Sequence, residues 1–504
     1  MTSSLRVVCP APAGALPEPA IRFDAISTEL RSAFVAGAAR DRLFQANAVA
    51  VTTGQQPGLF GGPLYTVHKA IAARALAAEL ERRWQRPVVP VFWVAGDDHD
   101  WAEASAAAWW TPQGDVRHRH LDGRLEDQPQ VPMSRMPVPM TQLVAARDAL
   151  AADLAAGTER DHALDWIDRH WQGTATMASA FIDAMHELLE PLGVAVLDPT
   201  HPAFKQAQQP WIRAALEQST EIDRTLAALP QTETGITAGD GATLVFLEAA
   251  RGRDRLVRVA PERFTTRRSG ESFTSADLFE MLDAAPGRFS ANVLLRPVVE
   301  AALLPTVAYV AGPGEARYLR EQAHAIYPLL GVTPQAVVPR WSGTLVDATS
   351  DRLLGRVGLD AEQVIRGGDA TEREILMRDM PPEATEALLT LERTIDQTAT
   401  ALGVAGAAID AVLDRAIQGR TGKMHGIARD LEHLIRRHLK RRDDIAWSQY
   451  RRLRQRLTPD DGPQERVISV AAALGRWGAD WLTVVGESTE AWAGTLLEPS
   501  SHGT

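Results

Sequence analysis

The sequence predicts an α/β protein with a parallel β-sheet, followed by a C-terminal antiparallel pair of long helices. Residues 48–95 read as strand, glycine-rich loop, helix and strand, which is the order of a βαβ unit. The second strand of that unit, 88–95, is a near-continuous apolar run, typical of strands covered on both faces. Apolar residues at helical spacing between Glu383 and Leu457 predict the helical pair.

A loop rich in glycine and side-chain amides follows the first strand of this unit. It runs from Gly54 to Pro63 (GQQPGLFGGP) and ends where the helix begins. Backbone N–H groups at a helix N-terminus, together with the helix dipole, suit an anionic group such as a phosphate or a carboxylate. Tyr65 and Lys69 are four residues apart and therefore share one helix face near that end. The alternative interpretation is a tight structural turn followed by a lysine that extends to solvent.

Four polar residues directly follow the second strand: Asp97, Asp98, His99 and Asp100. Because the carboxyl ends of parallel strands meet at one edge of a sheet, we expect this tetrad to lie close to the glycine loop. The tetrad could ligate a hard cation or a zinc ion, or it could orient a cationic amine. Alternatively, His99 is a general base tuned by the flanking carboxylates. A solvated acidic turn is the remaining interpretation.

A third group of polar residues begins at Asn292 and ends at Tyr318. Arg296 follows a predicted strand, where a guanidinium can clamp a carboxylate or a phosphate, and a glycine turn before Glu315 opens a helix. This block holds one of the two asparagines and two of the five tyrosines in the chain. Both residue types are scarce in this alanine- and arginine-rich sequence, so their clustering favours a ligand-facing role. A packing segment ordered by proline is the alternative.

The remaining segments predict insertions into one core and a separate helical region. Residues of about 111–165 are polar, punctuated by proline and then helical, and residues of about 211–286 combine a helix with a β-rich stretch. We therefore expect a catalytic core over 1–380 that carries both insertions. Residues 381–504 are expected to form the helical domain, with a C-terminal segment that returns to the core. The stretch GRTGKMHG, at 419–426, is expected to be the loop between the two long helices.

Composition and charge exclude several classes of protein. The chain has 504 residues and a formal net charge of −11, from 53 basic and 64 acidic side chains. An acidic chain is a poor general binder of nucleic acid or of anionic membranes, and no apolar run approaches the ~20 residues of a membrane helix. The N-terminus does not read as a signal peptide, and the single cysteine, Cys9, excludes a disulfide framework. We expect a cytoplasmic protein without a nucleic-acid or membrane partner.

Several familiar motifs are missing from the sequence. There is no P-loop, and Gly312-Pro313-Gly314 lacks the third glycine of a dinucleotide-binding fingerprint. Neither H-E-x-x-H nor G-x-S-x-G occurs. NAD-linked redox, metalloprotease and α/β-hydrolase functions therefore lose most of their support.

Taken together, the motifs resemble those of the bacillithiol biosynthesis cysteine-adding enzymes. Four blocks in family order carry the resemblance over nearly the whole chain: VTTGQQPGLFGGPLYTVHKA, PVFWVAGDDHDWAE, LLRPVVEAALLPTVAYVAGPGEARY and Pro463-Gln-Glu-Arg466. This chain departs from the family pattern at Asp97 and Glu300, where the family has Glu and Gln. The resemblance implies a Rossmann-like core similar to class I aminoacyl-tRNA synthetase catalytic domains, with connecting insertions, and a coiled coil that supports a homodimer. The HIGH and KMSKS motifs of those synthetases are absent.

The resemblance also implies an activity and a set of site residues. The implied enzyme is a ligase that adds cysteine to the amino group of glucosaminyl-malate to form bacillithiol, with ATP as co-substrate, Mg²⁺ as a candidate ion and other metals left open. The expected catalytic residues are Lys69, Asp98, His99 and Asp100. The expected substrate-binding residues are Gln55, Gln56, Tyr65, Asn292, Arg296, Glu315 and Tyr318. The expected nucleotide-binding residues are Gly58, Gly62, Gln464, Glu465 and Arg466.

Two hypotheses from other classes stay open at this point. A non-catalytic nucleotide-binding scaffold on a degenerate synthetase-like fold is favoured by the missing synthetase motifs, but the polar tetrad argues against it. A tRNA-acting enzyme would need steeply salt-dependent RNA binding, which the acidic charge disfavours.

Overall fold

The chain forms two compact units. The structure, a computed structural model, describes residues 5–10, 25–122, 129–230, 241–367, 380–442 and 444–496. The larger unit comprises Leu5–Leu345 and the chain from Gly462 onward, and the smaller unit comprises Val346–Asp461. The division after residue 380 that the sequence suggests stays a prediction.

Strands and helices alternate along most of the chain. The strands are β1 (Arg6–Val8), β2 (Val49–Gln55), β3 (Val88–Val94), β4 (Ala106–Trp110), β5 (Val116–His120), β6 (Ala195–Leu197), β7 (Ala242–Ala249), β8 (Gly252–Ala260), β9 (Arg263–Thr266), β10 (Ser272–Thr274), β11 (Phe289–Ala291), β12 (Thr306–Ala311), β13 (Ala336–Pro339) and β14 (Thr344–Val346). The α-helices before residue 360 are α1 (Ala38–Leu43), α2 (Tyr65–Trp84), α3 (Trp101–Ala104), α4 (Met140–Asp153), α5 (Thr158–His170), α6 (Met177–Leu189), α7 (Pro202–Glu217), α8 (Ser219–Ala228), α9 (Ser275–Ala284), α10 (Arg296–Leu303), α11 (Pro313–Glu321) and α12 (Ala348–Val357). After it come α13 (361–367), α14 (Pro382–Ala407), α15 (Ala411–Arg442), α16 (Asp444–Leu457), α17 (Gln464–Val467), α18 (Val470–Trp477) and α19 (Asp480–Leu496).

A five-stranded parallel sheet forms the centre of the larger unit. Its strand order is β13-β12-β2-β3-β6, and every pairing is parallel. The chain moves from β2 to β3 and β6 on one side, and from β12 to β13 on the other, so the direction of connection reverses between β2 and β12. Sheets of this Rossmann-like order bind ligands at that switch point, beyond the carboxyl ends of the strands. The predicted α/β fold with a parallel sheet is confirmed.

Apolar helices cover both faces of this sheet. Along β2, Val49 and Val51 pack in the apolar cluster that includes α2, α6 and α19, whereas Ala50 packs in the cluster with α1, α7 and α10 on the opposite face. All residues of β3 are buried, as its near-continuous apolar run predicts. The sheet is therefore the middle layer of three, and polar groups at its carboxyl edge are held by a rigid core.

A second, antiparallel sheet with the order β10-β9-β8-β7-β11 lies within the second predicted insertion and the strand that follows it. After β11 the chain turns at Asn292, whose Oδ1 accepts the N–H groups of Leu294 at 3.0 Å and Leu295 at 2.9 Å. These bonds satisfy donors at the start of α10, which begins at Arg296. The antiparallel sheet and the turn at Asn292 thus fix where α10, and with it Arg296, begins.

The segment after residue 462 packs on the glycine loop. The N–H of Val470 donates to Gly62 O at 2.9 Å, and the N–H of Leu64 donates to Ile468 O at 2.8 Å. A Cβ at Gly61, where φ is 87°, would lie 2.8 Å from the Cβ of Val470, so that position requires glycine. Beyond this contact, α19 packs along α2. The glycines of the loop therefore allow close approach of the C-terminal segment.

The smaller unit is helical, and its α14 and α15 pack as an antiparallel hairpin. The predicted hairpin is confirmed, but the loop expected at 419–426 is wrong, because those residues lie inside α15 and the turn is at 408–410. His425 Nε2 lies 3.0 Å from the Asp396 carboxylate across the hairpin. Packing along α14 outweighs the ~1 kcal/mol that each glycine costs a helix interior.

Length alone does not make these helices membrane spans. The helices α14 and α15 contain 26 and 32 residues. In the described parts of the chain, however, no helix combines sufficient length with sufficient apolar character to cross a membrane.

One buried carboxyl group lies between α10 and the parallel sheet. The Glu300 side chain is 1% exposed and accepts a hydrogen bond from the Thr52 hydroxyl of β2. Burial raises the pKa of Glu300 to about 8, more than the Thr52 hydrogen bond and the nearby Arg296 lower it. At neutral pH the side chain is therefore protonated and resembles the amide of glutamine.

We expect Glu300→Gln to stabilise the protein increasingly as the pH rises from about 4.5 to 8. Over that range the unfolded wild-type chain releases a proton that the folded chain retains, so wild-type stability falls while that of the variant does not. The difference approaches, at most, about 5 kcal/mol above pH 8. Urea unfolding across this pH range measures it, with the exposed Glu217→Gln as control. A variant less stable than wild type at pH 8 would contradict a neutral Glu300.

Candidate active site at the switch point of the parallel sheet

A cleft of about 290 Å³ opens where β2, β3 and β12 end. Loop backbone from the glycine loop and from 312–314 forms part of its wall. Its side chains come from several elements: Gln55, Gln56, Tyr65, Lys69, Asp98, Glu103, Val293, Arg296, Glu315, Tyr318, Arg340 and Arg466. Candidate residues from all four sequence blocks therefore meet in one cleft, at the place where the fold predicts a ligand.

Lys69 forms the central ion pair of this cleft. It projects from the first turns of α2, and its Nζ donates to Glu315 Oε2 at 2.7 Å and to Gly54 O at 2.8 Å. A longer contact of 3.4 Å joins it to Gln55 Oε1. Burial lowers the pKa of Lys69, and the Glu315 carboxylate opposes that shift. Lys69 as a whole is 4% exposed, and three protein acceptors contact its ammonium group.

Glu315 connects Lys69 to the loop that follows β12. Its Oε2 accepts the N–H of Gly312 at 3.2 Å, which caps the start of α11, and its Oε1 accepts the Tyr309 hydroxyl at 2.6 Å. The Arg296 guanidinium lies 3.5 Å from the same Oε1. Burial opposes ionisation, but Lys69 and Arg296 hold the pKa of Glu315 below its usual range. Tyr309 belongs to the polar block that the sequence marks between Asn292 and Tyr318, although its role as a partner of Glu315 is visible only in the structure.

Glu103 is a cleft residue that the sequence pattern did not single out. It follows the tetrad by one turn of α3 and accepts the Tyr65 hydroxyl at 3.0 Å and the Gln55 amide at 3.2 Å. Desolvation raises the pKa of Glu103 more than the Tyr65 hydrogen bond lowers it, and the Asp100 and Asp98 charges add to the rise. Its position in the quoted block PVFWVAGDDHDWAE was the available signal.

The tetrad does not act as one cluster. Asp98 Oδ1 accepts the backbone N–H groups of His99 at 2.7 Å and Asp100 at 3.2 Å, so the turn is ordered by its own carboxylate. Asp100 is exposed and caps α3 by accepting the N–H of Glu103. Asp97 pairs with the buried Lys205 at 2.6 Å. Of the four, only Asp98 reaches the cleft described above.

A second cavity of about 270 Å³ adjoins the cleft and shares Asp98, Val293 and Arg296 with it. His99 and Asn292, both predicted site residues, line this cavity, and so do residues of the antiparallel sheet. Arg253 of β8 is 7% exposed and contacts His99 Nδ1 at 2.9 Å. No local motif marks Arg253, because it lies in a strand of the second insertion.

Gln464 and Glu465 are buried behind the cleft. The Gln464 amide pairs with both backbone groups of Leu345, at 2.9 and 3.0 Å. Glu465 is 2% exposed and accepts the Ser342 hydroxyl at 2.6 Å. Glu465 Oε2 also lies 3.3 Å from His68 Nδ1, and its Oε1 lies 2.5 Å from Nη2 of Arg340.

This C-terminal motif adds the cationic Arg466 to the cleft, and its Glu465 pairs with Arg340, a second cationic cleft residue that follows β13. Burial opposes ionisation, but His68 and Arg340 lower the pKa of Glu465 to about 2. Its ionised carboxylate therefore anchors Arg340, whose Cζ lies 5.5 Å from the Tyr65 ring centre. Arg466 is exposed at the cleft.

Gly58 and Gly62 lie in the buried part of the glycine loop and are not among the cleft-lining residues. A Cβ at Gly58 would meet Gly62 Cα at 2.8 Å, so the two turns of the loop touch. The N–H of Gly62 donates to Leu59 O at 3.0 Å. Gly54, Gln55 and Gln56 at the start of the loop are the part that faces the cleft.

Within the described residues, no group of three or more His, Cys, Asp or Glu side chains is arranged to hold a metal ion. The carboxylates of the tetrad instead contact backbone N–H groups and Lys205. The site is thus organised by ion pairs and hydrogen bonds within the chain.

The fold and the cleft define a Rossmann-like protein with a polar cleft at its switch point, followed in the chain by a coiled-coil hairpin. Two family models agree with this description: "Bacillithiol biosynthesis BshC, N-terminal Rossmann-like domain" matches residues 28–341, and "Bacillithiol biosynthesis BshC, C-terminal coiled-coil domain" matches residues 343–492. The chain belongs to the bacillithiol biosynthesis BshC family.

Relatives from three organisms align with most of the chain. One from Solibacter usitatus is 30% identical over 462 residues, which cover 90% of this chain and 84% of the relative. One from Geobacillus kaustophilus is 30% identical over 461 residues, 88% of this chain and 82% of the relative. One from Staphylococcus carnosus is 27% identical over 450 residues, which cover 86% of this chain and 81% of the relative. Each is named "Putative cysteine ligase BshC". The family resemblance is confirmed, and the likeness to class I synthetases stays a prediction.

We expect Glu465→Gln to destabilise the protein at pH 7 by roughly 3 kcal/mol. The carboxylate has a lowered pKa in the folded state, so its stabilisation is present above about pH 4.5 and is lost as the pH falls toward 2. The difference in unfolding free energy should therefore shrink below pH 4.5. Thermal and urea unfolding measure it, and the exposed Glu487→Gln should stay within about 0.5 kcal/mol of wild type. A loss that does not shrink in acid would rule out an ionised anchor.

Proposed function

We propose that this chain is a cysteine ligase that joins the carboxyl group of cysteine to the amino group of glucosaminyl-malate, giving bacillithiol. One observation carries the proposal: the cleft at the switch point combines four cationic side chains with three carboxylates. The cationic residues are Lys69, Arg296, Arg340 and Arg466, and the acidic ones are Asp98, Glu103 and Glu315. Membership of the BshC family and the names of its relatives support the ligase class.

A cleft with both signs of charge suits substrates that carry amines together with carboxylates or phosphates. Cysteine is a zwitterion, and glucosaminyl-malate carries an amine and two carboxylates. Guanidinium groups pair well with carboxylates and phosphates through two parallel N–H donors. The acidic groups Asp98 and Glu103 would hold an ammonium or an attacking amine. This complementarity favours a reaction between an amino acid and an amine.

Amide formation requires activation, because a carboxylate is a poor electrophile. With ATP as co-substrate, a carboxylate oxygen of cysteine attacks a phosphorus atom, the bond from phosphorus to the leaving phosphate breaks, and a mixed anhydride forms. The amine nitrogen then attacks the carbonyl carbon. A C–N bond forms, the C–O bond to the phosphate group breaks, and a proton leaves the nitrogen.

The chain offers groups for each step of this reaction. Arg296 and Arg340 are held in place by Glu315 and Glu465, so they present a pre-organised positive charge to the anionic groups of the substrates. Lys69 lies between the glycine loop and the loop at 312–314, and in this proposal negative charge develops on the anhydride at that place. Glu103 is placed to accept the proton of the amine, because its carboxylate lines the cleft beside Tyr65 and Gln55.

The phosphates of the nucleotide would lie near Arg466 and Arg340 at the cleft. In this proposal Glu465 acts from behind by positioning Arg340, and Gln464 holds the motif on the Leu345 backbone. Gly58 and Gly62 shape the loop. Mg²⁺ commonly reaches such sites through substrate phosphates and retains several waters. A Mg²⁺ ion that enters with ATP would therefore not require a preformed protein cage.

The contacts of Lys69 favour one alternative function. Three protein acceptors already engage its ammonium group, as expected of a lysine with a structural role. A non-catalytic nucleotide-binding scaffold is consistent with that arrangement. Such a scaffold would bind ATP without consuming it.

We also propose a homodimer, formed through the coiled-coil hairpin, that works in the cytoplasm. Several apolar side chains on α14 and α15 are exposed, including Leu402, Val404 and Ile427 at 52%, 73% and 62%. Exposed apolar surface of this kind is common where a partner packs.

The ligase proposal predicts an amide product when purified chain is mixed with cysteine, glucosaminyl-malate and ATP. Mass spectrometry identifies the product and the phosphate species released. Lys69→Met should lower kcat/KM by about 100-fold or more, because a fixed charge at the reacting carbonyl is lost. The exposed Lys423→Met is the matched control and should match wild type. ATP binding without product, together with full complementation by Lys69→Met in a bacillithiol-deficient host, would instead establish the scaffold.

Arg466→Ala should raise the KM for one of the anionic substrates by about 10-fold and leave the unfolding free energy within about 0.5 kcal/mol of wild type. The side chain is exposed at the cleft, so its removal takes away a charge without opening a core cavity. Steady-state kinetics with each substrate varied in turn shows which one it contacts. Arg224→Ala, an exposed arginine whose side chain is 69% accessible, is the control. Unchanged KM values for all three substrates would exclude Arg466 from binding.

A further inference from the structure

Arg253 holds one orientation because four groups surround its guanidinium. Its Nε donates to the Ser290 hydroxyl at 2.9 Å, and its Nη2 donates to Ala291 O at 3.1 Å. Its Cζ lies 3.9 Å from the centre of the Phe246 ring, a close cation–π contact. The remaining Nη1 lies 2.9 Å from His99 Nδ1. A strand of the insertion thus reaches the tetrad that follows β3.

This contact determines which nitrogen of His99 carries the proton. A guanidinium has only donors, so His99 Nδ1 must accept, and in the neutral ring the proton lies on Nε2. Protonating Nδ1 would replace the hydrogen bond with two opposed N–H donors and bring two cations within 2.9 Å. The geometry therefore disfavours both the other tautomer and the imidazolium.

We propose that Arg253 is a positioning residue that holds His99 as a neutral imidazole with its proton on Nε2. The catalytic consequence of this tautomer, though not the tautomer itself, rests on the proposed ligase function. Because Nδ1 is engaged, His99 does not take the amine proton through that atom. The proton acceptor is then a carboxylate at the cleft, and Glu103 is the best placed.

Other charged groups near His99 include carboxylates, which act on its protonation state in the opposite direction to Arg253. The charged side chains that line the same cavity are Asp97, Asp98, Arg253, Arg255 and Arg296. Asp97 is itself paired with Lys205 at 2.6 Å, and burial lowers the pKa of Arg253 against the pull of Asp98 and Asp97. Without Arg253, the nearby carboxylates would favour a protonated His99.

The first test observes the ring directly in the intact, substrate-free protein. Nitrogen NMR of histidine-labelled protein reports protonation of each ring nitrogen, and His99→Gln identifies the His99 signals. We expect the neutral Nε2–H form in wild type from about pH 5.5 to 8, and protonation near pH 6–7 in Arg253→Met. Arg253→Lys keeps a positive charge and an N–H donor, so His99 should retain the wild-type tautomer in it. This variant provides the comparison if Arg253→Met folds poorly. Arg258→Met, on the same strand, is the control.

The second test uses substitutions that mimic each nitrogen. The amide of glutamine can replace the Nε2–H group, whereas that of asparagine replaces the Nδ1 position. We expect His99→Gln to stay within about 10-fold of the wild-type kcat/KM and His99→Asn to lose about 100-fold. In Arg253→Met, the pH profile of kcat/KM should gain a new ionisation near pH 6–7.

Two results would overturn the proposal: a wild-type His99 that is cationic or protonated on Nδ1 at pH 7, or equal losses in the glutamine and asparagine variants. The NMR measurement needs no turnover. A chain that forms no amide but shows the expected tautomer, and its loss in Arg253→Met, would therefore count against the ligase function alone.

Discussion

The ion pair between Lys69 and Glu315 is the interaction on which the site depends, because it joins the two halves of the parallel sheet across the switch point. Lys69 belongs to the helix after β2, and Glu315 opens the helix after β12. The pair is almost fully buried, so removing either member would leave an uncompensated charge, which typically costs about 3–5 kcal/mol. Glu315 also accepts the Tyr309 hydroxyl and the Gly312 N–H, so its position is over-determined.

Segments outside the βαβ core supply most of the other charged groups in the two cavities. The antiparallel sheet provides Arg253 and sets the entry of Arg296, while the segment after residue 462 provides Glu465 and, through it, fixes Arg340. Each arginine is held by a carboxylate, a carbonyl or a ring nitrogen of the protein. Positive charge fixed in this way requires little reorganisation when an anionic substrate arrives.

The sequence predicted the sheet and the helical hairpin, because periodicity and strand-end chemistry are local signals. It also singled out cleft residues in all four blocks, although not Glu103. It placed the hairpin turn wrongly, since the three glycines at 419–426 suggested a loop that packing along α14 overrides. It also could not separate Asp98, which reaches the cleft, from Asp100, which caps a helix. Arg253 was beyond reach because its importance arises only from a contact with a residue 154 positions away.

Two carboxyl groups near Arg296 show how the fold assigns opposite charge states with the same side chain. Glu315 faces Lys69 and three other donors, so it is ionised despite burial. Glu300 faces a threonine hydroxyl in the apolar layer beneath the sheet edge, so its pKa rises to about 8. If both were ionised, their repulsion would weaken the hold on Lys69 and Arg296. A protonated Glu300 therefore leaves Glu315 as the carboxylate that pairs with both Lys69 and Arg296.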